Sequence, residues 1–171
     1  MRPDFYLRKL MSLPEAHHVF RHGGEFADLV IESASGAYIR DSDGQEILDF
    51  TSGQMSGILG HGHPEIVATV REGIERLDHI HSSFISDTVL GLTRSLSEIL
   101  PDSLSKVLLL STGAESNEAA IRMAKLATGK FEVVAFDRSW HGMTGGASAA
   151  TFNGGRVGYG PMTPGVLTLP T

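Results

Sequence analysis

Leu108-Leu109-Leu110-Ser111-Thr112-Gly113-Ala114-Glu115-Ser116-Asn117-Glu118-Ala119-Ala120 decides the fold of this 171-residue chain. The three leucines read as a short buried strand, Ser-Thr-Gly as a turn, and the run from Glu115 as the opening of a helix. A strand that passes through a tight turn into a helix is an anion site by construction. The first helical turn has unpaired N–H groups and a partial positive charge, so phosphate is favoured there. Gly113 lets a ligand approach the backbone, and the hydroxyls of Ser111 and Thr112 add donors. The Thr112-to-Glu115 spacing is also that of a capping box, in which the two residues satisfy each other's backbone donors. The two readings are compatible.

Outward from this junction the chain alternates strand and helix. Glu115–Thr128 predicts a helix, closed by Gly129 where a left-handed cap is favoured. Lys106–Ser111 before it and Phe131–Phe136 after it predict apolar strands, and together they make a βαβ unit with parallel strands and a right-handed crossover. Residues 142–160 are dense in Gly, Ala, Ser and Thr, and Val166–Leu169 predicts one more strand. Towards the N-terminus, Val89, Leu92, Leu96, Ile99 and Leu100 outline a helix stopped at Pro101. Another begins at Pro64 and carries an apolar face of Ile66, Val67, Val70, Ile74 and Leu77. Further upstream the period changes to two. Leu29–Ser33, Ala37–Asp41 and Glu46–Phe50 predict short strands, with turn residues Ser42-Asp43-Gly44 between the last two. Phe5, Leu7, Leu10, Met11 and Leu13 suggest a short amphipathic helix ending near Pro14. The expected class is α/β: a small antiparallel meander, then an incomplete, mainly parallel sheet with helices.

Composition narrows the function classes. The chain is 41% hydrophobic and 20% charged, with a formal net charge of −6 and no cysteine. Acidic and basic residues are interspersed without a basic stripe, which argues against nucleic acid. Without cysteine there are no disulfides, thiolate zinc sites or thiol nucleophiles, a pattern that fits a reducing compartment. No apolar run approaches the ~20 residues of a membrane span, and no signal-peptide core is present. A cytoplasmic protein without membrane or nucleic-acid partners is expected.

Two nucleotide motifs are missing. No Gly-x-Gly-x-x-Gly follows a strand, and Gly129-Lys130 lacks the flanking residues of a P-loop. Trp140-His141-Gly142 follows the second predicted parallel strand, at the end where open α/β sheets bind ligands. Trp140, the only tryptophan, suits stacking on a flat ring or simple packing. His61-Gly62-His63 and His79-Ile80-His81 raise a metal site, and with it a His-x-His hydrolase, but no carboxylate ligand set accompanies them. Gln54-Met55 lies in the Gly- and Ser-rich loop of residues 51–62. A primary amide both donates and accepts, so Gln54 can orient a carboxylate without adding charge.

As a set, these segments resemble the class III aminotransferases, pyridoxal-phosphate (PLP) enzymes of fold type I. The resemblance is carried by Asp43-Gly44 with Ile47-Leu48-Asp49-Phe50, by Leu59-Gly60-His61-Gly62-His63-Pro64, by Ser111–Ala120 and by Trp140-His141-Gly142, in order from about Gly23 onward. Within the class, Asp49–Ser56, Ile121–Leu126 and Ser139–Gly145 look most like the 2,2-dialkylglycine decarboxylases. The resemblance implies that Thr112, Gly113 and Ala114 hold the cofactor phosphate and that Trp140 stacks on the pyridine ring. It also implies that Gln54, with Met55 beside it, contacts the substrate carboxylate. A carboxylate held out of the ring plane favours loss of CO₂ over loss of a proton, because the cofactor ring is an electron sink for whichever bond aligns with it. A keto acid such as pyruvate would then take up the amino group.

The resemblance further implies an alkali-cation site (potassium or sodium), part of which matches Ile80 and Ser82. A second matches Ser97, Pro101 and Leu104, with Leu100 where an oxygen donor belongs. The resemblance also implies a homodimer. The family's Schiff-base lysine matches none of Lys9, Lys106, Lys125 or Lys130. The expected chain is therefore the N-terminal part of a larger enzyme, inactive alone, with residues 1–62 in a small domain and active-site loop and 63–171 in the first part of the cofactor domain. A non-catalytic remnant that binds a phosphate or a partner chain is the alternative.

Overall fold

Asp41 organises the N-terminal meander. Its buried Oδ1 accepts the N–H groups of Asp43 (3.0 Å) and Gln45 (2.8 Å), closing the turn between two strands. In the computed structural model, which describes residues 26–153 and 160–171 with Ala16, His18, Val19 and Arg21, these strands are β2 (Tyr38–Asp41) and β3 (Glu46–Leu48). β1 (Ile31–Ser35) pairs antiparallel with β2, from Ile31↔Asp41 to Ser35↔Tyr38 with an irregularity between Ile31 and Ser33. The sheet order is β1-β2-β3, the expected meander, with β1 shifted two residues towards the C-terminus, β2 beginning one residue later and β3 ending two residues earlier than expected. The helix expected over residues 5–13 lies outside the described residues.

The described chain divides into two compact units, residues 1–84 and 85–171. In the first, a single turn α1 (Ser52–Met55) interrupts the expected loop, and α2 (Pro64–Arg76) begins on its proline, where a missing N–H costs nothing. Glu65 in its first turn and Arg76 in its last suit the helix dipole. The mid-helix Gly73 is accommodated.

In the second unit, α3 (Asp87–Ile99) starts on Ser86, whose side chain accepts from the Val89 N–H, and stops at extended Leu100 before Pro101. α4 (Gly113–Thr128) starts on Thr112 and ends at Gly129 in the left-handed conformation. β4 (Val133–Phe136) and β5 (Val166–Leu169) pair in parallel, from Val133↔Val166 to Phe136↔Leu169. Between them runs the short α5 (Gly145–Ala149). The buried residues of this unit are small: Ala135 on β4, then Ala147, Ala149, Ala150 and Thr151 in and after α5.

One expected strand is corrected. Residues 106–111 have no regular secondary structure and join no ladder among the described residues. Leu108, Leu109 and Leu110 stay 44–60% exposed. A strand requires a hydrogen-bonding neighbour as well as an apolar run. The parallel pair is β4 with β5, so the βαβ unit expected across α4 is replaced by a crossover through α5.

Candidate functional site

The α4 N-terminus is built as the sequence suggests. Thr112 Oγ1 accepts the Glu115 N–H at 3.2 Å, and Glu115 Oε2 accepts the Thr112 N–H at 2.9 Å, so the capping box is complete. The Ser116 N–H bonds to the Thr112 carbonyl. The N–H groups of Gly113 and Ala114 have no partner among the described residues. The box therefore engages Thr112 and leaves two adjacent backbone donors open at the positive end of a sixteen-residue helix.

The Trp140-His141-Gly142 segment lies against these first turns of α4. The Asn117 side-chain amide donates to the His141 carbonyl at 2.7 Å. Gly142, at φ +130°, approaches so closely that a Cβ there would sit 2.5 Å from Ala114 Cβ and 2.8 Å from Ala114 Cα. Trp140, two residues earlier, is 51% exposed. From the other side, buried Thr151 Oγ1 accepts the His141 N–H at 3.0 Å and donates to the Ala147 carbonyl at 3.0 Å. Thr112, Gly113 and Ala114 are thus placed beside the segment that carries Trp140.

Glu118, one turn below Ala114, fixes α5 to α4. Its Oε1 accepts the N–H groups of Gly146 (2.6 Å) and Ala147 (3.1 Å). Its carboxyl is held below the usual glutamate value by the neighbouring Thr144 hydroxyl, with the Ala147 and Gly146 amides and more distant Lys125 adding to the pull against the cost of partial burial. Thr144 Oγ1 is itself buried and outside full hydrogen-bond geometry, so the two amides carry the hold. Sequence reasoning missed Asn117 and Glu118. Their signal was positional: at i+3 and i+4 from Ala114 they share its helix face.

In the first unit, Gln54 and Met55 sit on α1, which winds left-handed. Ser52, Gly53, Gln54 and Met55 have φ of 41°, 61°, 62° and 67°. Each non-glycine residue held this way costs about 1–2 kcal/mol. Strain of this kind gathers at functional sites and persists only where surroundings enforce it. The Gln54 side chain is exposed, with no hydrogen-bond partner among the described residues. Asp49 stands at the base of the turn. Its Oδ1 accepts from the Thr51 N–H (2.9 Å), the Thr51 hydroxyl (2.6 Å) and the Ser52 N–H (3.1 Å), and its Oδ2 lies 2.8 Å from His61 Nε2. These bonds, that of the Thr51 hydroxyl foremost and that of His61 next, lower its pKa to about 2.

The histidine pairs do not converge. His61 is taken by Asp49, and His81 Nδ1 lies 2.8 Å from Ser83 Oγ. Among the described residues no group of three or more His, Asp or Glu side chains is gathered to hold a metal ion. Ile80 and Ser82 fall in the irregular stretch after α2, and the Ser97 hydroxyl donates to the Arg94 carbonyl on α3.

Compared with known proteins, residues 19–171 match the family described as Aminotransferase class-III. The chain belongs to this family. This class III aminotransferase chain is 53% identical over 152 residues to an uncharacterized aminotransferase of Schizosaccharomyces pombe, covering 89% of the chain and 34% of that relative. It is 40% identical over 139 residues to the acetylornithine aminotransferase of Halalkalibacterium halodurans, covering 79% and 35%. Among solved structures it resembles the taurine:2-oxoglutarate aminotransferase of Bifidobacterium kashiwanohense, determined in complex with PLP and glutamate. There the TM-score is 0.85 at 28% identity, over 91% of this chain and 36% of that one. The architecture is that of fold type I, and the chain spans about a third of the length of the relatives it matches.

Proposed function

We propose that this chain supplies the phosphate-binding and ring-stacking wall of a PLP-dependent aminotransferase that moves an amino group from an amino acid to a keto acid. The observation that carries the reading is the pair of open N–H groups at Gly113 and Ala114, with Gly142 packed too closely on Ala114 to allow a side chain. The residues present fit the cofactor: two unpaired donors at a helix N-terminus suit a phosphate, and half-exposed Trp140 suits the face of a pyridine ring. When bound, PLP supplies an electron sink for the bond broken at the substrate's α-carbon. Thr112 caps and orients the helix, Gly113 and Ala114 hold the phosphate through their N–H groups, and Trp140 covers the ring.

Gly113→Pro tests this directly. Proline at the first helical position keeps the helix and deletes one donor. Thr112 is already extended (φ −136°, ψ 159°), as a residue before proline must be, and a Cβ at Gly113 meets nothing within 4 Å. PLP affinity should fall about tenfold or more, the loss of one hydrogen bond to a charged group. Affinity for pyridoxal, which lacks the phosphate, should stay constant. Equal losses for both would refute the assignment.

The finer reading is a 2,2-dialkylglycine-decarboxylase-like reaction, supported by the exposed Gln54 amide on its left-handed turn, with Met55 beside it. Gln54 would grip the substrate carboxylate. In a full-length enzyme that carries these residues, release of CO₂ from 2-aminoisobutyrate in the presence of pyruvate tests it, against transfer from acetylornithine without CO₂. On the same resemblance we assign a cytoplasmic homodimer, with a family domain boundary at 62/63 and a partial potassium or sodium site at Ile80 and Ser82. The 171 residues alone are proposed to be inactive, since none of their lysines matches the cofactor-bearing one. Turnover by the purified 171-residue chain would overturn that.

A further inference from the structure

We propose that Asp49 and His61 are positioning residues that hold the Ser52–Met55 turn in its left-handed form and thereby aim the Gln54 amide at the substrate carboxylate. This rests on the reading of Gln54 given above.

The turn is costly and cannot hold itself. Three of its four residues are not glycine, and its internal bonds (Met55 N–H to the Thr51 carbonyl, Ser56 N–H to the Ser52 carbonyl) would form equally in a right-handed turn. Something outside must select the hand. Asp49 does so by collecting three donors from the two residues that enter the turn, Thr51 and Ser52, on one carboxylate oxygen. The other oxygen is tied to His61. Both partners are anchored to the meander. The Asp49 N–H donates to the Ala37 carbonyl, and His61 exchanges both backbone bonds with Gly36 at 2.8 and 2.9 Å. A continuous path of support therefore runs from the β1–β2 turn through His61 and Asp49 to the strained residues. The bonds to the Ser52 N–H and to His61 are part-buried, while the two from Thr51 lie at the surface.

Asp49→Ala removes the junction, while Asp49→Asn keeps an acceptor towards the turn and a donor towards His61. His61→Phe keeps ring volume without a nitrogen, whereas His61→Gln restores a donor at a similar reach. In the PLP-loaded protein, Asp49→Ala and His61→Phe should speed amide exchange at Thr51, Ser52 and Met55 by about tenfold or more, with Asn and Gln largely restoring protection. In a full-length class III enzyme that carries these residues, the same two variants should raise KM for the amino donor by about tenfold while kcat stays within about twofold, the pattern of a lost uniform grip on the carboxylate. In a Gln54→Ala background they should add nothing further. Unchanged exchange, or relaxed exchange with KM unmoved while Gln54→Ala raises it, would overturn the proposal. If Gln54→Ala itself leaves KM unchanged, the substrate reading of Gln54 fails, and exchange alone decides whether the pair enforces the turn.

Discussion

Replacing Gly142 with alanine should loosen the Trp140 segment from the α4 N-terminus, and the structure sets the size of the effect. The added Cβ would lie 2.5 Å from Ala114 Cβ, 2.8 Å from Ala114 Cα and 3.4 Å from Ala147 Cβ. Carbon atoms pack at about 3.5–4.0 Å, so one side must give by about 1 Å. Little can. Ala114 is fixed in the first turn of α4, and the preceding His141 is held at both its carbonyl and its N–H by Asn117 and Thr151. Overpacking of this kind costs about 1–3 kcal/mol. Holding an L-residue at φ +130° adds about 1–3 kcal/mol. A total of about 2–6 kcal/mol stands against the roughly 5–15 kcal/mol of a typical domain. The control is Gly129→Ala, also at positive φ (+67°) but with nothing within 4 Å of its Cβ, which should cost only about 1–2 kcal/mol. Denaturant midpoints of the two variants, with m-values checked for two-state behaviour, measure the difference. Gly142→Ala should also weaken PLP binding, while Gly129→Ala at the far end of α4 should not. Equal destabilisation by the two variants would refute the close approach as the feature that seats the segment.

Other perturbations separate the roles around α4. Thr112→Ala should cost about 1 kcal/mol through loss of the cap, and Thr112→Ser should recover most of it; thermal unfolding reads both. Glu118→Gln should destabilise by about 1–2 kcal/mol in denaturant titration, because the charged acceptor of the Gly146 and Ala147 N–H groups is replaced by a neutral one. Both Glu118 and Asp49 have depressed folded-state values, so the stability they contribute is fully present above the unfolded values of 4.5 and 3.8 and is lost as pH falls through the folded ones. For Asp49 that loss falls between 3.8 and about 2. Acid titration of Glu118→Gln should therefore show a shallower loss of stability below about pH 4.5 than the parent, and an unchanged slope would contradict the assignment.

The parts legible in the sequence were those set by local rules. Pro64, Ser86, Thr112 and Gly129 mark helix ends because the orphan N–H and C=O groups of a helix demand particular neighbours within three or four residues. The meander was readable because alternating residues and a Ser42-Asp43-Gly44 turn specify antiparallel neighbours next to each other in sequence. The left-handed turn was not. Ser52, Gln54 and Met55 have no intrinsic preference for positive φ, and the groups that impose it lie at Asp49 and in the side chain of His61, twelve residues on from Asp49. The grip of Glu118 on α5 spans 28 residues and leaves no pattern beyond a shared helix face with Ala114.

The Leu108–Leu110 run shows where such rules stop. Three successive leucines are the sequence mark of a strand buried on both faces within a parallel sheet. That pattern states what the strand needs and not who supplies it. In the β4–β5 pair, Ala135 is 7% exposed while Val134 and Phe136, which point the other way, are 56% and 60% exposed. One face of β4 is thus covered within the unit and the other is open, just as Leu108–Leu110 are open. A capping box closes over three residues, so Thr112 and Glu115 form it whatever lies around them. A parallel ladder closes only over distant chain, so the same segment can be right about its helix and silent about its sheet. The proposed site inherits this division: the open N–H groups of Gly113 and Ala114 depend on α4 alone, and the placement of the Trp140 segment depends on the long-range contacts of Gly142, Asn117 and Thr151.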